Sequence, residues 1–92
     1  MNIAEKMELT DGEDRFRLWT LFRVTTELYI MNKKKMMTVQ TEKLKKNADE
    51  MNKILVKYGL EEHFDISEED DIFLDKLSEE LKKILKNKKK PD

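Results

Sequence analysis

The most apolar stretch of the 92-residue chain, residues 16–31, reads FRLWTLFRVTTELYIM. If this stretch is a helix, successive residues turn by about 100°, and its large apolar side chains point in almost every direction. Only a narrow strip near Thr20, Arg23 and Glu27 stays polar. A helix that is apolar on nearly all sides belongs in the middle of an assembly, so this stretch decides the fold.

An alternative secondary structure for this stretch is a β-strand, because residues 16–30 also alternate between apolar and polar and contain Val and Thr. A sheet needs turns, however, and the chain has only two glycines and one proline. All three of these residues lie near candidate boundaries, at Gly12, Gly59 and Pro91. The scarcity of turn residues therefore favours an all-α protein.

The pattern predicts one domain, residues 1–92, built from three helices at about 14–35, 39–58 and 67–87. Asp11 or Asp14 is the expected N-cap of the first helix. No glycine or proline separates the first two helices, which leaves open an unbroken helix over 14–58, roughly 65 Å long. A break near 36–40, with Thr38 or Thr41 as a cap, is favoured. Residues 1–12 and 87–92 are expected to be frayed.

The second predicted helix has a regular apolar seam with steps of four and three residues: Leu44, Ala48, Met51, Leu55 and Tyr58. Its end is marked by Gly59, which suits the left-handed position after a helix, and by Leu60, which supplies the apolar contact of a Schellman cap. The third predicted helix begins at Ser67, whose capping sequence is followed by acidic residues. Its apolar stripe consists of Ile72, Phe73, Leu74, Leu77, Leu81, Ile84 and Leu85.

Charge is abundant but segregated, since 42% of residues are charged and the net charge is only −1. Residues 32–59 carry a net charge of +5 and residues 60–85 a net charge of −7. The simplest interpretation is that the second and third helices are antiparallel neighbours whose rims attract each other. The alternative is that the lysines bind nucleic acid, although the acidic segment would repel phosphate. The lysines concerned are Lys33, Lys34, Lys35, Lys43, Lys45, Lys46 and the tail at 88–90.

The first helix holds the candidate contact residues. It carries all three arginines of the chain, whose planar guanidinium groups suit interface ion pairs better than lysine does. It also carries an aromatic cluster, and aromatic residues together with arginine are enriched at the centres of interfaces. Pairing of Arg23 with Glu27 and burial of the aromatic residues in the core are the alternatives. The expected partner or oligomer interface consists of Arg15, Phe16, Arg17, Trp19, Phe22, Arg23 and Tyr29.

No motif in the chain indicates catalysis or a cofactor. There is no cysteine and no glycine-rich phosphate loop, and the single histidine, His63, has no serine partner in a nucleophile motif. Loose carboxylates around His63 do not have the spacing of a metal site, so we expect neither a metal nor another cofactor. The N-terminus has no secretory pattern and the apolar stretch is interrupted by charges, so we expect a cytoplasmic protein that does not enter a membrane.

The sequence therefore favours a three-helix bundle whose first helix needs more apolar cover than the other two helices supply. We expect an intertwined or face-to-face homodimer through the first helix, or an obligate protein partner. The favoured function is non-enzymatic, as an adaptor, inhibitor or regulatory subunit. A nucleic-acid-binding regulator is the second possibility, and a dimeric helical enzyme with an arginine-lined pocket is the third.

Overall fold

In a computed structural model of the chain, every regular element of the described residues is a helix, which confirms the all-α class. The structure describes residues 2–34 and 40–88, without the side chains at 85, 87 and 88. The described elements, in chain order, are α1 (Ile3–Glu8), α2 (Gly12–Lys33), α3 (Thr41–Lys57) and α4 (Asp70–Lys88). The three predicted helices are present as α2, α3 and α4. The count of three is wrong, because α1 precedes them.

Helix α1 forms where the sequence pattern predicts fraying. Asn2 and Glu5 make a reciprocal capping box, in which the Glu5 amide donates to Asn2 Oδ1 over 2.8 Å and the Asn2 amide donates to Glu5 Oε1 over 3.1 Å. Ile3 and Met7, one turn apart, are completely buried in the core. The prediction of a frayed segment 1–12 is therefore wrong for α1, because two buried side chains and a cap stabilise this short helix.

The ends of α2 and α3 lie close to the predicted boundaries. Helix α2 ends at Lys33 and α3 begins at Thr41, with Asp11 and Gln40 as their N-cap residues. The predicted break at 36–40, and Thr38 as a cap, fall almost wholly on residues 35–39, which lie outside the described residues. The tail that is predicted to fray lies, beyond Lys88, outside the described residues.

Two salt bridges show that α2 and α3 run antiparallel. Asp14, at the start of α2, accepts a 2.9 Å hydrogen bond from Lys57 at the end of α3. Three residues further along α2, Arg17 lies 2.9 Å from Glu50, which precedes Lys57 by seven residues. The core side chains between the two helices are those of the predicted α3 seam, and Leu44, Ala48, Met51 and Leu55 are all completely buried.

Helix α3 ends in the predicted Schellman cap. Gly59 has a φ of +75°, in the left-handed region that favours glycine. The Leu60 amide donates to the Leu55 carbonyl over 3.0 Å, and the Gly59 amide donates to the Val56 carbonyl over 2.9 Å. Leu60 itself packs against the core. The chain therefore turns sharply at Gly59 and leaves α3 in a new direction.

The connection from residue 60 to residue 69 returns along α3. Asn52, which is only 1% exposed, anchors its middle: the amides of His63 and Phe64 each donate to Asn52 Oδ1 over 3.0 Å, and Asn52 Nδ2 donates to the Phe64 carbonyl over 2.7 Å. Further on, Lys45 near the start of α3 lies 2.9 Å from Asp70, the first residue of α4. The first turns of α3 and α4 are therefore neighbours, which corrects the predicted antiparallel pairing of these two helices.

Helix α4 begins three residues later than predicted. Ser67 does not cap it, because both its amide and its hydroxyl donate to Asp65 Oδ1, over 3.0 and 2.5 Å. Asp70 and Asp71 supply the acidic first turn instead. Phe73, Leu77 and Leu81 are buried, whereas Ile72 is 45% exposed, so the inner face of α4 is narrower than the predicted stripe.

Candidate interaction groove

An apolar cavity lies between α2 and the C-terminal half of α4. We call it the α2–α4 groove, and its volume is about 450 Å³. Leu81 and Ile84 form the α4 wall, and the α2 wall is formed by residues spaced three and four apart, as one side of a helix requires. The lining residues are Phe16, Trp19, Thr20, Phe22, Arg23, Thr26, Leu81 and Ile84.

The burial of α2 changes along its circumference. Leu18 and Phe22 are buried on the side that faces the core, whereas Phe16 is 74% exposed at the edge of the groove. Ile30 and Met31 are each 37% exposed further along α2. The intramolecular core thus covers one side of α2 and leaves apolar side chains on the opposite side in contact with water.

Four of the seven residues expected at an interface line this groove. Phe16, Trp19, Phe22 and Arg23 come together there, as their spacing predicts. Tyr29 is half-buried against the core, and Lys33 Nζ lies 5.9 Å from the centre of its ring. The sequence pattern also places Leu81 and Ile84 on the apolar stripe of α4, but gives no sign that they face α2 across an open groove.

The three arginines do not surround a common pocket. Arg15 donates to the Thr10 carbonyl over 2.6 and 3.0 Å and to the Glu8 carbonyl over 3.2 Å, so it caps the end of α1. Arg17 pairs with Glu50 of α3. Arg23 borders the groove, where it lies 3.8 Å from Glu27, the neighbour predicted from the sequence. Within one chain, only Arg23 is available to a ligand or partner in the groove.

The lysines proposed for nucleic-acid contact differ in their availability. Lys43 and Lys46 are exposed on α3, whereas the Lys45 side chain is only 18% exposed. Lys45 donates to the Glu68 carbonyl and to Asp70, and it lies 5.6 Å from the centre of the Phe73 ring. Lys45 thus joins α3 to α4. Lys35 and the lysines at 89–90 lie outside the described residues, as does the side chain of Lys88.

A second, smaller cavity of about 140 Å³ lies where the connection before α4 meets α4. Its charged groups are largely paired with one another: His63 Nε2 lies 2.6 Å from Glu80 Oε1, and Lys76 donates to Glu68 Oε1. That hydrogen bond raises the pKa of Lys76 above its ordinary value. The other carboxylate oxygen of Glu68, Oε2, is buried without a hydrogen-bond partner. These pairs stabilise the junction between the connection and α4.

A cluster formed by Asp14, Lys57 and Tyr58 fixes the start of α2 against the end of α3. Hydrogen bonds from Lys57 and from the Tyr58 hydroxyl, the latter over 2.7 Å, hold the pKa of Asp14 below its ordinary value of 3.8. The same contacts raise the pKa of Lys57 and of Tyr58. Each of these groups joins the two helices.

Residues 2–34 and 40–88 contain no candidate metal site and no candidate membrane-spanning helix. No group of three or more His, Asp or Glu side chains there is arranged to hold a metal ion. None of the helices in that part of the chain is both long enough and apolar enough to cross a membrane.

Comparison with known proteins found no match for this chain: no protein-family model, no curated protein and no solved structure is significantly similar to it.

Proposed function

We propose that this chain is a non-enzymatic helical protein that acts through protein–protein contact, as an adaptor, inhibitor or regulatory subunit, and that it self-associates through α2. The observation that carries the proposal is the α2–α4 groove, an apolar cavity of about 450 Å³ bordered by a phenylalanine that is 74% exposed. Apolar pockets bordered by aromatic and arginine side chains are typical of the centres of protein interfaces.

The energetic cost of the exposed side chains supports this proposal. Burial of a phenylalanine or isoleucine side chain stabilises a protein by about 1.5–3 kcal/mol. A domain of this size is stable by only about 5–15 kcal/mol, so even the fraction of this free energy that a partly exposed side chain gains on contact favours association. Three of the seven large apolar side chains that are exposed in the described part of the chain, Phe16, Ile30 and Met31, lie on α2.

A specific contact requires only a small part of the surface of this chain. A standard interface buries about 800 Å² on each partner. The accessible surface of the chain is 6662 Å², so about one-eighth of it would suffice. Phe16, Arg23, Glu27 and Ile30 are exposed on α2, and Phe16 and Arg23 also line the groove.

A pair of variants tests this proposal by light scattering after size-exclusion chromatography. Phe16→Glu places a charge on the groove, and Val56→Glu places the same charge on an equally apolar position of α3, where valine is 54% exposed. We expect the wild type and Val56→Glu to be dimers and Phe16→Glu to be a folded monomer with an unchanged circular dichroism spectrum. A wild-type chain that is monomeric at all concentrations, or a Phe16→Glu variant that still dimerises, would overturn self-association through this groove.

A further inference from the structure

The exposed side of α2 continues beyond the groove as a stripe of four residues, which we call the α2 stripe: Phe16, Arg23, Glu27 and Ile30. Phe16, Arg23 and Ile30 are seven residues apart, so they lie in line over about 21 Å of the helix. Glu27 lies one turn after Arg23. The side chains of Arg23 and Glu27 are 69% and 59% exposed, so solvent or a partner can reach both.

The charges of the α2 stripe are self-complementary in one orientation. If a second copy of α2 lay parallel and in register, Arg23 would face Arg23 and Glu27 would face Glu27, and like charges would repel. If it lay antiparallel, with a two-fold axis at the height of Thr25, Arg23 would face Glu27 of the second copy and Glu27 would face Arg23 of the second copy. Residues 23 and 27 are equally distant from residue 25, so this arrangement follows from their positions.

We infer that the occupant of the α2–α4 groove is a second copy of this chain, docked antiparallel on α2 so that Arg23 and Glu27 exchange partners across the two-fold axis. The inference rests on the proposed self-association and adds its orientation and register. In the dimer, Arg23 of each subunit pairs with Glu27 of the other. In the single chain, Arg23 lies 3.8 Å from its own Glu27, and both side chains are exposed.

The same register brings apolar side chains to the groove. Residues whose numbers sum to 50 lie at the same height on the two helices, so Ile30 of the second copy lies level with Thr20, and Met31 of the second copy lies level with Trp19. Ile30 and Met31 are each 37% exposed, and Trp19 and Thr20 line the groove. Each subunit therefore brings Ile30 to the height of the groove of the other, and the two contacts are equivalent, as an isologous interface requires.

The charge exchange is tested by mixing two variants. Arg23→Glu makes both stripe charges negative and Glu27→Arg makes both positive, so each variant alone places like charges together and should weaken its homodimer by at least about tenfold in Kd. An equimolar mixture of the two should form a heterodimer, and the double variant R23E/E27R should recover the wild-type Kd. Fluorescence titration of a labelled variant measures all three. A double variant as weak as the single variants would overturn the exchanged pairing.

Cross-linking tests the register, and the chain contains no cysteine of its own to interfere. Thr20→Cys and Ile30→Cys variants are mixed with a short homobifunctional maleimide. We expect cross-linked heterodimers of the two variants. We expect little cross-linking of Thr20→Cys alone, because ten residues of helix would separate the two sulfur atoms by about 15 Å along the axis. Efficient cross-linking of Thr20→Cys with itself, without the mixed product, would overturn the antiparallel register.

The two levels of the proposal fail in different ways. If the wild type is a dimer but the charge and cysteine variants do not behave as expected, the register is wrong while self-association through the groove stands. If the wild type is monomeric, both are wrong. In this register residue 16 lies level with Lys34 of the second copy, so Phe16→Lys places like charges together and should abolish the dimer. A dimer that Phe16→Lys leaves intact places the interface elsewhere and overturns both.

Discussion

Replacing Asn52 with alanine removes the side chain that fixes the connection between α3 and α4, and we expect a loss of about 3 kcal/mol in the free energy of unfolding. Asn52 makes three hydrogen bonds of 2.7–3.0 Å to the backbone of His63 and Phe64. A hydrogen bond of this kind contributes about 1 kcal/mol, and each buried group left without a partner costs as much again or more. Because Phe64 is only 8% exposed, water cannot easily replace the lost partner.

The assay is urea unfolding followed by circular dichroism at a fixed protein concentration, since association alters apparent stability. A loss of 3 kcal/mol corresponds to a fall of roughly 12–24 °C in Tm for a domain of this length. Amide hydrogen exchange gives a local measurement, because the amides of His63 and Phe64 should exchange faster in the variant. Asn47→Ala is the matched control, since Asn47 is a half-buried asparagine of the same helix, and its stability should change by no more than about 0.5 kcal/mol.

An Asn52→Ala variant whose free energy of unfolding lies within 0.5 kcal/mol of wild type would refute this reasoning. It would mean that the connection is held by its apolar contacts, and that the three hydrogen bonds are replaced by water at no net cost.

Three further predictions concern the packing of α1, the Schellman cap at Gly59 and the Asp14–Lys57 ion pair. Met7→Ala should lower the free energy of unfolding by about 2–5 kcal/mol because Met7 is completely buried. Leu9→Ala is the control and should lower it little, because Leu9 is 55% exposed. Equal losses in urea unfolding would contradict the packing of α1. Gly59→Ala should lower the free energy of unfolding by about 1–2 kcal/mol, because alanine is strained at φ +75°. An added Cβ meets no atom within 4 Å, so strain is the whole of the expected loss, and an unchanged Tm would contradict the Schellman cap. Asp14→Asn should lower Tm at neutral pH, and the difference from wild type should shrink as the pH falls below 3.8, because a carboxyl whose pKa is lowered by folding stabilises the folded state only while it is ionised. A Tm difference that stays constant through the acid range would contradict the role of the Asp14–Lys57 pair.

The sequence predicts those parts of the fold that depend on local pattern. Leu44, Ala48, Met51 and Leu55 form a regular seam and are buried, and Gly59 ends α3 as its position indicates. Apolar periodicity and the conformational freedom of glycine act within a few residues along the chain, so they can be read without knowing the tertiary structure.

The parts that the sequence does not predict depend on contacts between distant residues. Asn52 is polar, so a pattern of apolar residues assigns it to the surface, and only the path of residues 60–69 shows which backbone groups it binds. Helix α1 is six residues long, too short for periodicity to identify, although Asn2 and Glu5 three residues apart give a capping signal that can be recognised. Helix α4 begins at Asp70 and not at Ser67, because the Ser67 hydroxyl donates to Asp65 and does not cap the helix.

The candidate site is predicted in part for the same reasons. The spacing of Phe16, Trp19, Phe22 and Arg23 places them on neighbouring faces of α2, and they line one groove. The opposite wall depends on how α4 crosses α2, and this crossing follows from the return of residues 60–69 along α3. Arg15 and Arg17 have the same residue type and lie on the same helix as Arg23, but the positions of α1 and α3 determine that they are used within the chain.

Sedimentation velocity on the purified full chain, from micromolar to hundreds of micromolar, measures whether the chain self-associates through α2. We expect a species of twice the 11.1 kDa chain mass at the higher concentrations, which dissociates to the chain mass on dilution and is absent from the Phe16→Glu variant. A well-folded wild-type chain that sediments at 11.1 kDa throughout this range would contradict the claim that the exposed side of α2 is a self-association surface.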